Sequence, residues 1–274
     1  MAHDSAAHDV WDVGAGYEAY VGRWSRLVAR EFVRWLGVPP GGRWLDVGCG
    51  TGTLVQAIAT QAEPRLVIGI DRSRGFVGHA RARVNDAPSA FQIGDAQALP
   101  VTGGSFDAVV SGLVLNFVPD PARMVAEMAR AGRPGSAVAL YVWDYAAGME
   151  LMVRFWRAAR TLDPAAAALD EAGRFPGCAP GPLEALFVAA GLSEVATCAI
   201  DVPTRFRDFD DYWFPFLGGQ GPAPAYAMSL PEDRRIQLRE AIRDSLPVAP
   251  DGSIRLAARA WAVRGARPRA TAAP

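Results

Sequence analysis

A glycine-rich turn near residue 50 is the part of the sequence best suited to hold an anionic ligand. Residues 43–47 (RWLDV) predict a short buried strand, and apolar residues at helical spacing over 54–59 predict a helix. Between them lies the run GCGTG, from which we select Gly48, Cys49 and Gly50 as binding residues. Glycines let the backbone approach a ligand closely, and the first turn of a helix presents unpaired N–H groups at a positive dipole end. The turn therefore predicts a site for the anionic end of a nucleotide-like cofactor.

Two acidic residues narrow the class of cofactor. Asp71 follows the second predicted strand, residues 65–70, and lies 21 residues beyond Gly50, the spacing expected for a carboxylate that holds a pair of ribose hydroxyls. This position suits NAD and S-adenosylmethionine equally. Asp46 stands two residues before Gly48, where a buried carboxylate needs a partner. It could fix the N–H groups of the turn or balance a cationic ligand. The pyrophosphate of NAD disfavours a carboxylate there, whereas a ligand with an ammonium and a sulfonium favours it.

The motif DVGCGTG resembles the first motif of the class I S-adenosylmethionine-dependent methyltransferases, in the UbiE-like group called methyltransferase type 11. GDAQALP, residues 94–100, resembles the motif after the third strand of that family, where the Asp accepts from the adenine amino group and the next backbone N–H meets a ring nitrogen. FDAVVSGLVLNFVPDP, residues 106–121, resembles the fourth motif. The resemblance covers about residues 17–145 and implies S-adenosylmethionine as the cofactor, with S-adenosylhomocysteine as the product.

The resemblance also implies which residues bind the cofactor. The segment from Tyr17 to Phe32 resembles the N-terminal cap helices of small-molecule methyltransferases, in which a Tyr or Arg often reaches the carboxylate of the cofactor. Arg23 is our candidate for that bidentate contact, and a solvated arginine on the helix face is the alternative. The predicted cofactor-binding set is Arg23, Asp46, Gly48, Cys49, Gly50, Asp71, Arg72, Asp95, Ala96, Gln97, Ser111 and Leu113.

The candidates for binding the methyl acceptor are one amide and four aromatic residues: Asn116, Trp143, Tyr145, Trp156 and Trp213. Asn116 stands near a place where relatives often carry His, so it either orients the substrate or caps the helix predicted from residue 121. Aromatic residues at three- and four-residue spacing are also typical of a core, and that alternative stays open. We identify no catalytic residue, because no base stands out beyond the speculative Asp144, Tyr145 and Tyr141, and a pre-ionised substrate needs none.

Strand and helix patterns alternate along the chain, which predicts an α/β, Rossmann-like fold with a doubly wound, mostly parallel sheet of seven strands. Family analogy makes the last strand, residues 254–263, antiparallel. We expect an N-terminal cap helix within residues 1–41 and a cofactor-binding domain over 42–264. Insertions that cover the substrate are expected after strands five and six, at about residues 144–182 and 201–253, and a disordered tail over 265–274.

The composition of the 274 residues limits the partners that we expect. A formal net charge of −1 gives no electrostatic footprint for nucleic acid. The 3 Cys and 3 His lack metal-ligand spacing, so we predict no metal site. The sequence shows neither the pattern of a signal peptide nor an apolar run of about 18 residues. We therefore expect a cytoplasmic protein without a membrane partner, and we leave the oligomeric state open.

These patterns together predict transfer of a methyl group from S-adenosylmethionine to a small molecule through an oxygen, nitrogen or carbon nucleophile, mainly by proximity and orientation. Three alternatives remain. An NAD-dependent oxidoreductase leaves Asp46 and the GDAQALP motif unexplained. The second is a protein of this fold that binds S-adenosylmethionine without methylating a substrate, or that regulates a partner. Measuring turnover, rather than binding, separates it from the main hypothesis. A methyltransferase acting on RNA or protein is the third. The residues do not select the acceptor or its reacting atom.

Overall fold

Seven strands form one mixed sheet in the computed structural model, which describes residues 21–85, 88–218 and 221–269. The strands are β1 (Arg43–Val47), β2 (Leu66–Asp71), β3 (Ser89–Ile93), β4 (Phe106–Gly112), β5 (Gly132–Trp143), β6 (Ser193–Phe206) and β7 (Ile254–Ala266). Their order across the sheet is β3-β2-β1-β4-β5-β7-β6. The chain changes its direction of winding between β1 and β4. In doubly wound folds this switch point, at the carboxyl ends of the strands, is where ligands bind.

Parallel pairing joins β1 to both of its neighbours. Leu45 lies opposite Ile68 of β2 and opposite Val109 of β4. Trp44 and Leu45 are fully buried, as expected for a strand that is covered on both faces. β7 is antiparallel to both β5 and β6, so β6 runs in the same direction as β5. The predicted seven-stranded, mostly parallel sheet and its antiparallel last strand are therefore confirmed.

Ten helices are found among the described residues, and most of them pack against this sheet. They are α1 (Arg23–Leu36), α2 (Thr53–Gln61), α3 (Arg74–Arg83), α4 (Pro121–Ala131), α5 (Glu150–Leu162), α6 (Glu171–Arg174), α7 (Pro180–Ala189), α8 (Phe209–Trp213), α9 (Pro222–Ser229) and α10 (Glu232–Ser245). Short 3-10 turns span Leu115–Phe117, Pro164–Ala168 and Phe214–Gly218. Among the described residues we find no helix with the length and hydropathy of a membrane span.

α1 is the described part of the predicted cap helix, and residues 1–20 lie outside the described ranges. Its apolar residues recur every three or four positions and face the sheet. Phe32 packs on Tyr141 of β5 with ring centroids 4.7 Å apart, and Trp24 packs edge-on against Phe206 of β6 at 5.1 Å. Full burial of such a side chain contributes about 1.5–3 kcal/mol. Because Phe206 ends β6, the first turn of α1 lies at the carboxyl edge of the sheet.

The C-terminal boundary is a correction to the sequence analysis. A disordered tail was expected over 265–274, yet β7 continues to Ala266, which pairs with Ser193 of β6. The backbone N–H of Arg267 donates to the carbonyl oxygen of Ser136 at 2.9 Å, and its Nη1 donates to the carbonyl oxygen of Arg130 at 3.2 Å. These backbone and side-chain bonds hold the start of the expected tail, whereas residues 270–274 lie outside the described part of the chain.

Candidate functional site

The glycine turn joins the end of β1 to α2, and its shape requires glycine at specific places. Gly48 has φ +74°, and a Cβ there would meet Val114 Cγ2 at 2.5 Å. The N–H groups of Gly48 and Cys49 donate to the carbonyl oxygen of Ile70 at 2.7 and 2.9 Å, which fixes the turn against the end of β2. Gly50 has φ +50°, and a Cβ there would meet no atom within 4 Å. The turn is therefore anchored on one side and open on the other.

Asp71 connects the glycine turn to the end of β2. Its Oδ2 accepts from the backbone N–H of Gly50 at 2.9 Å, and its Oδ1 accepts from that of Ser73 at 2.8 Å. Burial raises the pKa of Asp71, and the two N–H groups oppose that shift because they stabilise the carboxylate. A carboxylate offers about four lone-pair sites, so two hydroxyl groups of a ligand can still bind here. Arg72, the next residue, is exposed.

Asp46 lies beneath the turn and is only 1% exposed. Among the described residues neither of its carboxyl oxygens has a hydrogen-bond partner. Burial, and then the charge of Asp71, raise the pKa of Asp46 to about 8. Of the two roles expected for it, fixing the N–H groups of the turn does not occur, because those of Gly48, Cys49 and Gly50 bond to Ile70 and Asp71. A buried carboxyl of this kind either keeps its proton or is paired with a cation.

The GDAQALP segment begins where β3 ends, beside Asp71. The N–H of Gly94 donates to the carbonyl oxygen of Asp71 at 3.1 Å, so Asp71 and Asp95 come together at the carboxyl edge. Asp95 is exposed, and its Oδ1 accepts from the backbone N–H of Gln97 at 2.9 Å. Gln97 in turn accepts from the N–H of Asp120 at 3.0 Å. The turn leaves Ala96 partly exposed next to the carboxylate, as an adenine contact requires.

The end of β4 supports the glycine turn from the other side. Ser111 is 1% exposed, and its Oγ donates to the carbonyl oxygen of Val47 at 2.6 Å. Its hydroxyl is therefore used inside the sheet, where it positions the turn, and a contact of Ser111 with the cofactor stays a prediction. Leu113 has φ +63°, a left-handed conformation that costs a non-glycine residue about 1–2 kcal/mol. Strain of this kind clusters at functional sites.

Asn116 and Tyr145 meet just beyond the carboxyl ends of β4 and β5. Asn116 Nδ2 lies 3.3 Å from the Tyr145 hydroxyl, and Asn116 Oδ1 is buried without a hydrogen-bond partner among the described residues. The ring of Phe175 lies 5.3 Å from that of Tyr145 and 5.8 Å from that of Phe117. We call Phe117, Tyr145 and Phe175 the aromatic corner. The sequence analysis missed two of its members, although Phe117 follows Asn116 directly and Phe175 lies in the first expected insertion.

Three predicted acceptor-binding residues belong instead to the hydrophobic core. The exposed fractions of Trp143, Trp156 and Trp213 are 2%, 1% and 5%. The indole N–H of Trp156 donates to Oε2 of the buried Glu171, and its ring packs edge-on against Phe155. These side chains are enclosed by protein and do not form a pocket wall in this structure. Core packing, the alternative left open by their spacing, is what the structure shows.

The side chain of Arg23 lies beside Asp211 and Phe206, at the end of β6. Its Nη1 is 3.3 Å from Asp211 Oδ1, and its guanidinium lies 4.3 and 4.8 Å from the ring centroids of Trp24 and Phe206. β4, β5 and β7 separate β1 from β6, which at about 4.8 Å per strand is roughly 19 Å. Arg23 is thus held at the end of β6. Its Nε and Nη2 are buried without a hydrogen-bond partner among the described residues, and its role in binding the cofactor's carboxylate stays a prediction.

The residues considered as a base are enclosed. Asp144 is 5% exposed, and its Oδ1 accepts from the backbone N–H of Ala147 at 3.2 Å. Tyr141 is 2% exposed and packs on Phe32. Tyr145, in the aromatic corner, is 7% exposed and lies just beyond the carboxyl end of β5, beside Asn116. The geometry assigns none of them as a proton acceptor.

Comparison with known families matches residues 45–140 to a family described as "Methyltransferase domain". The matched range begins in β1, ends in β5 and contains the glycine turn, Asp71 and Asp95. Residues 45–140 are a class I methyltransferase domain. The family recognised from the motifs is confirmed over this range.

Curated relatives resemble this methyltransferase domain rather than the whole chain. The demethylmenaquinone methyltransferase of Symbiobacterium thermophilum is 37% identical over 119 residues, which cover 42% of this chain and 47% of that protein. The chain covers 30%, 47% and 52% of three curated relatives that it matches, or about half of their length at most.

Solved structures share the fold across most of the chain. The YcgJ protein of Bacillus subtilis has a TM-score of 0.57 and 18% identity, and the match covers 89% of this chain and 99% of that one. The [4+2]-cyclase SpnF has a TM-score of 0.54 and 22% identity, over 90% of this chain and 81% of that one. At such low identity these similarities show the fold alone, and they confirm the predicted fold class.

Proposed function

We propose that this protein transfers a methyl group from S-adenosylmethionine to a small-molecule acceptor. The observation that carries the proposal is the carboxyl group of Asp46, which is 1% exposed beneath the glycine turn and has no partner among the described residues. An isolated buried carboxylate is costly, and a bound cation relieves the cost. The amino acid end of S-adenosylmethionine carries an ammonium beside a sulfonium, whereas the pyrophosphate of NAD would add negative charge.

The residues present fit this cofactor. Asp71 would hold the ribose hydroxyls with its remaining lone pairs, and the open side of the turn at Gly50 would hold the methionine end. The exposed carboxylate of Asp95 and the backbone N–H of Ala96 would bind the adenine edge. When bound, S-adenosylmethionine supplies a methyl carbon activated by its sulfonium, to which the acceptor's lone pair bonds as the carbon–sulfur bond breaks and a proton leaves the acceptor.

The chain's own contribution is to orient the acceptor and to exclude water. Orientation of two reactants can contribute about 7–11 kcal/mol of the barrier. Asn116 and Tyr145 lie at the ends of β4 and β5, beside the turn, and can fix the acceptor there. The insertion over residues 144–182 brings Phe175 over the same place, which supports the expected division into a cofactor-binding sheet and substrate-covering insertions. The expected second insertion, 201–253, remains a proposal.

The nature of the acceptor is supported by charge and by similarity. The formal net charge of −1 does not favour a nucleic acid as the acceptor. The relative from Symbiobacterium thermophilum is named for a small-molecule acceptor, a demethylmenaquinone. We infer a small-molecule acceptor for this chain as well. A cytoplasmic location remains a prediction from the sequence.

Calorimetric titration with S-adenosylhomocysteine and with NADH tests the cofactor. We expect micromolar binding of S-adenosylhomocysteine by the wild type, and at least about tenfold weaker binding by Asp71→Ala and Asp95→Ala, because each loses hydrogen bonds to a charged group. Glu184→Ala, which removes an exposed carboxylate on α7, is the matched control and should bind like the wild type. Binding of NADH alone would overturn the proposal.

A turnover assay separates methylation from mere binding. The same fold occurs in SpnF, which is named as a [4+2]-cyclase. Binding of the cofactor therefore does not by itself establish methyl transfer. Purified protein incubated with S-adenosylmethionine and a panel of phenols, amines and carbon acids should release S-adenosylhomocysteine with at least one acceptor. Tight cofactor binding with no acceptor-dependent release across the panel would favour the non-methylating alternative.

A further inference from the structure

We propose that the buried carboxyl of Glu171 is a pH-sensitive switch for the segment that carries Phe175. In its neutral form it holds residues 163–178 against α5, which keeps Phe175 beside Tyr145, and loss of its proton releases the segment. The switch itself does not depend on the proposed function. Its consequence, the opening of the acceptor site, rests on that function.

Residues 163–178 bury little apolar surface of their own. They comprise the 3-10 turn Pro164–Ala168, the single-turn helix α6 and a loop, and a helix of four residues is not stable by itself. The buried residues of this segment are small or polar: Ala166, Asp170, Glu171 and Cys178. Segments with few buried apolar contacts open more readily than the rest of a fold. The attachment of this segment therefore depends on its polar anchors.

Two side-chain contacts attach α6 to α5. The indole N–H of Trp156 donates to Oε2 of Glu171, and these two residues are 1% and 2% exposed. Nη1 of Arg160 lies 3.1 Å from Oδ2 of Asp170, but the arginine side chain is 48% exposed. Ion pairs with an exposed partner contribute little to stability. The contact between Trp156 and Glu171 is thus the buried anchor of the segment.

Backbone hydrogen bonds connect Glu171 to Phe175. The N–H of Phe175 donates to the carbonyl oxygen of Glu171 at 2.9 Å, and the N–H of Cys178 donates to that of Phe175 at 3.0 Å. The ring of Phe175 lies 5.3 Å from that of Tyr145. Because Phe175 is fixed to α6, movement of α6 away from α5 carries its ring away from Tyr145.

The surroundings of Glu171 make its ionised form costly. Burial raises the pKa of Glu171 from 4.5 to about 7, and the charge of Asp170 acts in the same direction. The hydrogen bonds from Trp156 and from the backbone N–H of Glu171 lower it, as does the charge of Arg174. The titratable and charged groups on the described elements around this site are Asp170, Arg174, Arg160 of α5, Asp163 before the 3-10 turn, and Tyr226 of α9, whose ring lies 5.6 Å from that of Trp156.

The direction of the switch follows from these values. In the released segment the carboxyl meets water and has its ordinary pKa of 4.5, whereas in the held segment its pKa is about 7. The held form is therefore favoured most at low pH, and this advantage is lost as the pH rises to about 7. Between the two values the ratio of held to released protein falls by up to about tenfold per pH unit.

The indole ¹H–¹⁵N resonance of Trp156 reports the ionisation directly. It is assigned by its absence from the spectrum of Trp156→Phe. In the full-length wild type it should shift with pH, with a midpoint near pH 7. In Glu171→Gln, which keeps an acceptor oxygen but has no proton to lose, it should not shift. A wild-type resonance that stays constant from about pH 5 to 8 would overturn the proposal.

Hydrogen exchange of residues 170–178 measures the release. After correction for the intrinsic effect of pH on exchange, protection in the wild type should fall about tenfold or more between pH 5 and 7. In Glu171→Gln it should change by less than about twofold. An equal fall in both proteins would refute the switch. So would constant protection in a wild type whose Trp156 resonance shifts, since Glu171 would then ionise without releasing the segment.

Two further variants complete the test. Glu184→Gln removes an exposed carboxylate on α7 and should behave like the wild type in both measurements. Trp156→Phe keeps the carboxyl of Glu171 but removes its donor, which raises the pKa further. The fall in protection should then extend above pH 7, and this variant tests the switch even if Glu171→Gln does not fold. A fall that ends at the same pH as in the wild type would contradict the proposal.

Neither measurement uses a cofactor or an acceptor, so the two proposals can fail separately. If S-adenosylhomocysteine does not bind but protection of residues 170–178 changes as expected, the switch stands and the proposed function falls. If S-adenosylhomocysteine binds and protection does not depend on Glu171, the proposed function stands and the switch falls.

Discussion

Asp46 should make the cofactor-free protein sensitive to pH. Its pKa is raised from 3.8 to about 8, so the folded state keeps a proton that the unfolded chain releases. The free energy of unfolding therefore falls as the pH rises through this range, and the loss is complete above the folded pKa. The Asp46→Asn variant lacks this titrating carboxyl, so its free energy of unfolding should not fall in this way. Urea unfolding measures the free energy of unfolding of both proteins between about pH 5 and 8. The value for the variant minus that for the wild type should rise by up to about 1.4 kcal/mol per pH unit.

The buried acid Glu171 does not disturb this comparison. Burial raises the pKa of Glu171 to about 7, but Glu171 is present in both proteins and its effect cancels in the difference. Asp95→Asn, which replaces an exposed carboxylate of the same site by an amide, is the matched control for this substitution. A stability difference between Asp46→Asn and the wild type that stays constant from about pH 5 to 8 would contradict the assignment.

At the scale of elements, α1 packs against α2 and the sheet, and its first turn is tied to the segment after β6. Arg23 pairs with Asp211 across 188 residues of sequence, and Asp211 also accepts from the backbone N–H of Arg207 at 3.0 Å. We expect Arg23→Gln to change the affinity for S-adenosylhomocysteine by less than about twofold, because partly exposed ion pairs contribute only about 0.2–1 kcal/mol. Hydrogen exchange of residues 207–211 should become faster, since Asp211 loses a partner.

Arg30→Gln is the matched control for this prediction, because Arg30 is an exposed arginine of the same helix. It should alter neither the affinity nor the exchange of residues 207–211. Weakening of S-adenosylhomocysteine binding by about tenfold or more in Arg23→Gln alone would instead show that Arg23 reaches the cofactor in solution.

The helix over residues 121–131, which has strong local signals at its start, was predicted from the sequence to the residue. α4 spans Pro121–Ala131 as expected, because Pro121 opens it and Asp120 caps it. The apolar run AVALYVW, residues 137–143, predicts a strand, but β5 begins at Gly132, five residues earlier. Pro134 and Gly135 indicate a turn, yet Phe106 of β4 pairs with Gly132. Such pairing is a tertiary contact that no local pattern contains.

At the scale of the whole molecule, cofactor binding should stabilise the fold by mass action. S-adenosylhomocysteine at 100 times its Kd adds about 2.7 kcal/mol to the free energy of unfolding, which for a chain of this length raises Tm by about 5 °C. Scanning calorimetry of the wild type measures this shift. Asp71→Ala at the same ligand concentration should show little change in Tm. An equal shift in both proteins would mean that the ligand binds away from the glycine turn.

The cofactor half of the candidate site was easier to predict than the acceptor half. Gly48, Asp71 and Asp95 follow strand ends at fixed spacing, so one parallel sheet brings them together. The position of Trp156 depends instead on how the helices outside the sheet pack. Its spacing suits a core and a pocket wall equally, and the structure places it beside the buried Glu171. Phe175 lies 58 residues beyond Phe117 in the sequence, and only the folded insertion brings their rings to 5.8 Å.

The place of β7 in the sheet has a consequence for the order in which the fold can be built during synthesis. In the described part of the chain, β6 pairs with β7 and with no other strand, and β7 is the link between β6 and β5. A ribosome therefore releases β1 to β5 long before β6 can join them. The released part already contains the glycine turn and the carboxylates of Asp71 and Asp95. Until residues 254–266 emerge, the 14 residues of β6 have no strand beside them. A nascent chain stalled in that interval would expose both β5 and β6 as open edges, the state in which chaperone binding or aggregation would compete with folding.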